Sequence, residues 1–196
     1  SGFLTPSINL FFFDTKVSQS TSFPYYFNIS EDKELTFTPT INYGAGVDSS
    51  QRFNFDYNQL ISGGYLTSYL TVDSTLENNN TDKWLKEASF INNYQQNINE
   101  KFTLNFESAL QSSKNYIQQT NPNNDLSYSS SLKSSLNING YNINKIDDTM
   151  EFYITAYQSN QNDEDNKTIP TVLPHVIYNT GTSYLRGFNY NNSLEF

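Results

Sequence analysis

The 196-residue chain has no cysteine, one histidine, one tryptophan and one methionine. Without cysteine there is no disulfide framework and no thiolate-held metal within it. Lys and Arg total 11 against 20 Asp and Glu, a net charge of −9. A phosphate-binding surface needs clustered cations, so a nucleic-acid partner is not expected. No apolar run reaches the ~18 residues that a membrane helix needs. That leaves open spanning by β-strands, each of which needs only ~9–11 alternating residues. There is no initiating Met and no signal sequence, and Phe196 falls inside an alternating segment. The chain is therefore expected to be a piece of a longer one, and the missing leader carries no information on compartment.

What the chain has is aromatic residues and alternation. It contains 15 Tyr and 15 Phe, and Ser, Thr, Asn and Gln fill much of the rest. Low apolar content can signal disorder, but period-two patterning recurs from end to end. Phe23, Tyr25, Phe27 and Ile29 share one face of a segment. Leu35, Phe37, Pro39, Ile41 and Tyr43 share a face of the next, opposite Thr36, Thr38, Thr40 and Asn42. Phe53, Phe55 and Tyr57, then Leu66, Leu70 and Val72, then Phe102, Leu104 and Phe106 repeat the pattern. Such spacing predicts strands, about eleven of them, with no convincing helix: an all-β antiparallel meander. The first strand is expected over Phe3–Phe13, with Leu4, Pro6, Ile8, Leu10 and Phe12 on one face. Asp14–Ser20 is expected as a polar loop, and Tyr184–Phe196 as the last strand.

The expected connections alternate in length. Asp14–Ser20, Gly44–Ser50, Leu76–Lys86 (with Trp84), Ser112–Asp125 and Asn160–Lys167 are long. Ser30–Lys33, the Gly63 and Asp147 turns, Asn97–Glu100 and Asn179–Ser183 are short. Outer-membrane barrels sort their loops in this way, long outside and short in the periplasm. A Phe/Tyr/Leu/Ile face would then point to lipid and a Thr/Asn/Ser face to a wet lumen, because unpaired polar groups in hydrocarbon are costly. Phe12, Phe13, Tyr25, Tyr26, Tyr43, Tyr178 and Tyr184 near segment ends suit interfacial girdles. A soluble sheet with one dry face gives the same alternation, so both readings stand on pattern alone.

Three prolines lie in the first three segments: Pro6, Pro24 and Pro39. Each lacks the amide donor that a ladder uses. Enzymatic signatures are missing: no phosphate loop, no nucleophile elbow, no catalytic residues and no cofactor site are expected. His175, beside Pro174, reads as structural or lumen-facing. Asp163, Glu164 and Asp165 lack the ligand spacing and glycine of a calcium loop and read as a solvated loop. No metal site is expected. Asn-x-Ser/Thr triplets at Asn28, Asn79, Asn166 and Asn191 are those that chance gives an Asn-rich chain.

SGFLTP at Ser1–Pro6, followed by FPYYFNISEDKELTFTP at Phe23–Pro39, resembles the start of the barrel in the lipopolysaccharide-assembly outer-membrane protein family, LptD. TVLPHVIYNTGTSY at Thr171–Tyr184 resembles a later segment of that family. The likeness runs in order along the chain, and Phe27 departs from it where many members carry Trp. It implies residues 1–196 as part of a large outer-membrane β-barrel of a Gram-negative cell, an open curved sheet when isolated. A periplasmic domain would precede it and further strands would follow. It implies lipopolysaccharide transport into the outer leaflet, with Pro6 and Pro24 weakening a lateral gate between first and last strands and Pro39 adding local strand weakening. Implied partners are lipopolysaccharide, outer-membrane lipids, a lipoprotein plug of the LptE kind inside the barrel, and a periplasmic bridge protein of the LptA kind. A different barrel, such as a porin or transporter, and a soluble β-rich surface protein are the alternatives.

Overall fold

The computed structural model describes the chain except residues 14–15, 45–48, 77–83, 145–146, 161–168, 170, 182, 186–187 and 191. The acidic triplet Asp163–Asp165 lies outside the described residues, as does the side chain of Trp84. The fold is all-β. Its strands are β1 (Gly2–Phe3), β2 (Ser7–Phe13), β3 (Lys16–Ser22), β4 (Tyr25–Ser30), β5 (Lys33–Gly44), β6 (Ser50–Ile61) and β7 (Gly64–Leu76). Then come β8 (Trp84–Asn97), β9 (Phe102–Gln111), β10 (Ser131–Tyr141), β11 (Thr149–Ser159), β12 (Val172–Asn179), β13 (Ser183–Leu185), β14 (Phe188–Tyr190) and β15 (Ser193–Glu195).

Thirteen of these form one sheet in the order β1-β4-β5-β6-β7-β8-β9-β10-β11-β12-β15, with β2 paired to β3 and β3 to β5. The printed pairings are all antiparallel. With β1–β2 and β3–β4 each read as one interrupted strand, the sheet is a meander of eleven runs. The chain packs as two compact units: Ser1–Gln59 with Thr67–Ile91 and Leu110–Ser129, and Leu60–Leu66 with Asn92–Ala109 and Ser130–Phe196.

Four sequence expectations are corrected. Lys16–Ser22 is not a loop: KVSQSTS pairs with β2 from Ser7↔Ser22 to Phe13↔Lys16, and with β5 on its other side. It shows no alternation because Gln19 and Thr21 put polar groups on the otherwise apolar face. There they hydrogen-bond each other, Gln19 Nε2 to Thr21 Oγ1 at 3.1 Å. Ladders on both edges hold the strand where side-chain propensity does not. The long connection after β9 contains a short helix, α1 (Tyr116–Thr120), and a 3-10 turn over Asp125–Tyr128. The last segment is not one strand: β13 and β14 pair as a separate two-stranded sheet, and β15 is the strand that joins β12. The expected first strand, Phe3–Phe13, is two strands, β1 and β2.

Turns are set by backbone limits. Gly63 adopts φ 76°, which L-residues avoid, and Gly64 lies so close to β8 that a Cβ there would stand 1.9 Å from the Gln95 carbonyl oxygen. The neighbour is backbone and cannot step aside. Gly64→Ala is expected to destabilise the β7–β8 pairing by about 1–3 kcal/mol, the usual cost of overpacking. A urea midpoint equal to that of the parent protein would contradict this.

Candidate functional site: a proline row in an apolar-out sheet

The distribution of side chains inverts that of a soluble protein. Among the described residues the buried hydrophobics are four (Ala109, Tyr116, Ile117 and Leu132), whereas fifteen buried residues are polar or charged. The large apolar side chains are outside. Phe3 is 80% exposed, Phe12 72% and Ile8 62%, and Leu10, Phe23, Phe27, Ile29, Ile41 and Tyr43 are exposed as well. A contiguous apolar face of this kind marks contact with a membrane or a partner surface. Register makes the face continuous: Tyr25↔Phe37↔Phe55 and Phe27↔Leu35↔Tyr57 run across three strands. Aromatic contacts knit it together, Phe3–Tyr25 edge-to-face at 4.8 Å and Phe37–Phe55 at 4.9 Å. No helix among the described residues is long and apolar enough to cross a membrane.

The opposite face is polar and bonded within itself. Tyr26 Oη donates to Glu34 Oε2 at 2.9 Å, and Asn58 Nδ2 reaches Glu34 Oε1 and Asp56 Oδ1 at 3.3 and 3.2 Å. Arg52 Nε and Nη2 both donate to Asp73 Oδ2, at 3.0 and 2.8 Å. His175 lies on this face, as its neighbours require: Nδ1 is 2.5 Å from the Tyr153 hydroxyl and Nε2 is 2.8 Å from Glu195 Oε1. One side chain from each of β11, β12 and β15 is thereby linked across the sheet. Among the described residues no group of three or more His, Cys, Asp or Glu side chains could hold a metal ion.

The three prolines converge. In β1, Gly2 opposes Tyr26 and Phe3 opposes Tyr25; β2 resumes with Ser7 opposite Ser22. Between them Leu4 N donates to Pro24 O at 2.9 Å. Thr5 and Pro6 therefore share Phe23 as their only opposite residue, which is a β-bulge. The extra residue switches faces. Phe3 joins Ile8, Leu10 and Phe12 on the apolar side, and Leu4 falls to the polar side, against the expectation that Leu4 and Ile8 share a face. Pro24 accepts from Leu4 but has no N–H to return. Phe23 N donates to Pro39 O at 3.0 Å, and Pro39 likewise has no N–H to return. Two neighbouring pairs thus keep one bond of two, on either side of a strand whose outer neighbour is bulged. At roughly 0.5–1.5 kcal/mol per net hydrogen bond, the row is weaker than the surrounding ladder by about 1–3 kcal/mol. On the β5 side the register is unbroken across Phe23 and Pro24.

Pro174, not singled out with the other three, makes a second such break. Tyr153 opposes His175 and Thr155 opposes Val172, so Leu173 and Pro174 face Ile154 alone. The legible signal was a proline inside an apolar run; its pairing partner was not legible.

No protein-family model matches the chain. Over 85 residues, 43% of its length, the chain is 33% identical to the LPS-assembly protein LptD of Shewanella frigidimarina. The matched stretch spans 11% of that protein. The similarity is distant and partial, and it points to the theme of lipopolysaccharide assembly at the outer membrane.

Replacing Pro24 and Pro39 together by Ala supplies both missing donors. Because Pro→Ala also frees the unfolded chain, global stability mixes two effects of similar size. Local amide exchange does not. Exchange at residues 2–4 and 23–26 is expected to slow five- to tenfold, and unchanged exchange there would contradict the one-bond description.

Proposed function

We propose that the chain forms part of the wall of an outer-membrane β-barrel that passes lipopolysaccharide to the outer leaflet, and that the Pro6–Pro24–Pro39 row is where the wall parts. The observation that carries this reading is the position of the weakness. One-sided pairs and a bulge sit at the first strands of an apolar-out sheet, while β5–β6 and β10–β11 pair without interruption. An amphiphile with a large polar head cannot cross a sheet through its ladder; it needs a seam that opens at low cost. Each lost net bond lowers that cost locally and leaves the rest of the wall intact. The partial likeness to an LPS-assembly protein supports lipopolysaccharide as the cargo. In this reading a lipoprotein plug of the LptE kind would fill the barrel, and a periplasmic bridge of the LptA kind would deliver cargo through a domain preceding Ser1. The chain performs no chemistry on the cargo; it binds, orients and releases it.

The test is a Pro6→Ala, Pro24→Ala double substitution in the intact protein. Lipopolysaccharide is expected to accumulate on the periplasmic side and its surface fraction to fall at least several-fold. Heat-modifiable electrophoretic mobility, the sign of a folded barrel, should be retained. Normal surface lipopolysaccharide in a folded double mutant would sink the gate and leave a barrel of another kind, a porin or transporter with incidental prolines. Protein that stays in solution without detergent would sink both barrel readings in favour of a soluble β-rich surface protein.

A further inference from the structure

The segment between β9 and β10 does not stand off the sheet. Its helix α1 buries Tyr116 and Ile117 to 1% exposure. The groups it meets belong to the polar face. Ile117 N donates to Gln111 Oε1 at 3.0 Å, and Ser113 Oγ bonds Glu87. Tyr116 lies beside Asp73, Arg52 and Glu87; burial pushes its hydroxyl well above the usual tyrosine range, while the Arg52 guanidinium, close to it but outside hydrogen-bond geometry, pulls the other way. Beneath it, the cross-strand Arg52–Asp73 pair joins β6 to β7. The helix is five residues long, and its Asn115 N-cap, at φ 61°, makes no side-chain capping bond. A helix this short does not persist by itself in water, so its docking holds it together.

That docking is incompletely satisfied. The Tyr116 hydroxyl, Thr71 Oγ1 and Asn54 Oδ1 are buried without a hydrogen-bond partner. Asn54 is two residues from Arg52 along β6 and Thr71 two residues from Asp73 along β7, so the hairpin sets both beside the ion pair on the same face. Unpaired polar atoms of this kind favour whichever state gives them water. We propose that residues 112–129 are a displaceable lid on the polar face, latched by Tyr116 and Ile117. Lifting it hydrates Tyr116, Thr71 and Asn54 and opens the Arg52–Asp73 region to polar solutes moving along that face. The apolar contact of Ile117 holds the lid down and the three unpartnered polar atoms push it up, so the two states are closely balanced.

The 196 residues contain no cysteine, so once any cysteine elsewhere in the intact protein is replaced by Ser, a reporter thiol at position 71 is unambiguous. In the intact detergent-solubilised protein, Thr71→Cys is labelled with a small charged methanethiosulfonate. A measurable rate is expected in the folded parent. Adding Ile117→Ser is expected to raise it at least tenfold. Adding Tyr116→Phe, which removes one unpaired hydroxyl, is expected to lower it. An unchanged rate in a folded Ile117→Ser protein would overturn the proposal, as would a parent rate no faster than global unfolding. Should Ile117→Ser fail to fold, Tyr116→Phe decides: a rate equal to or above the parent's overturns the lid.

Discussion

Everything in this fold follows from where its backbone hydrogen bonds go. An apolar-out sheet set in hydrocarbon has no water to satisfy a spare N–H or C=O, so each strand depends on the strand beside it. In the proposed membrane wall that requirement favours uninterrupted ladders such as β10–β11, which pairs residue for residue from Ser131↔Ser159 to Tyr141↔Thr149. It also makes any missing donor conspicuous. In a soluble sheet a proline at an edge is a minor accommodation; in a membrane wall it fixes where the sheet is easiest to part. In the proposed function the row through Pro6, Phe23, Pro24 and Pro39 is that place; in the structure it is a bulge at Thr5–Pro6 beside two pairs that each keep one bond of two.

The same logic applies to the polar face. Polar side chains there need partners once a segment covers them. Most find partners in neighbouring strands, as Ser22 does with Thr40 and Arg52 with Asp73. Among the described residues the unpartnered buried atoms are on Tyr116 of α1 and on Asn54 and Thr71 of the neighbouring β6–β7 hairpin. Among the described residues the ladder is interrupted at the proline row and again at Pro174, and unpartnered polar atoms are buried near α1. The proline row and α1 lie within the unit that contains Ser1–Gln59 and Leu110–Ser129.

Much of this was legible in the amino-acid order. Alternation at Phe23–Ile29, Leu35–Tyr43 and Phe53–Tyr57 reports a pleated strand directly, because the side-chain period is fixed by geometry. The prolines were visible as defects, but their alignment was not. It depends on pairing register, which a single strand does not encode, and on a bulge that shifts the face of everything before it. β3 was illegible for a related reason: KVSQSTS is polar on both faces and becomes a strand only because β2 and β5 flank it. Tyr116 and Ile117 sit in a stretch of Ser, Asn, Gln and Lys that reads as a loop. Nothing local reveals that two of its residues are the largest fully buried side chains among those described.

The proposed wall requires the face carrying Ile8, Leu10, Phe12 and Phe27 to lie against lipid and the alternate face not to. Spin labels at single introduced cysteines along β2 and β5, in the intact protein reconstituted into bilayers, test it most directly. Collision rates with oxygen and with a water-soluble nickel chelate should alternate residue by residue. Oxygen should dominate at 8, 10, 12, 35, 37 and 41, and nickel or mutual exclusion at 9, 36, 38 and 40. Alternation that flips phase between residues 3 and 8 would place the bulge as well. Uniform nickel accessibility on the Ile8 face would contradict the account outright.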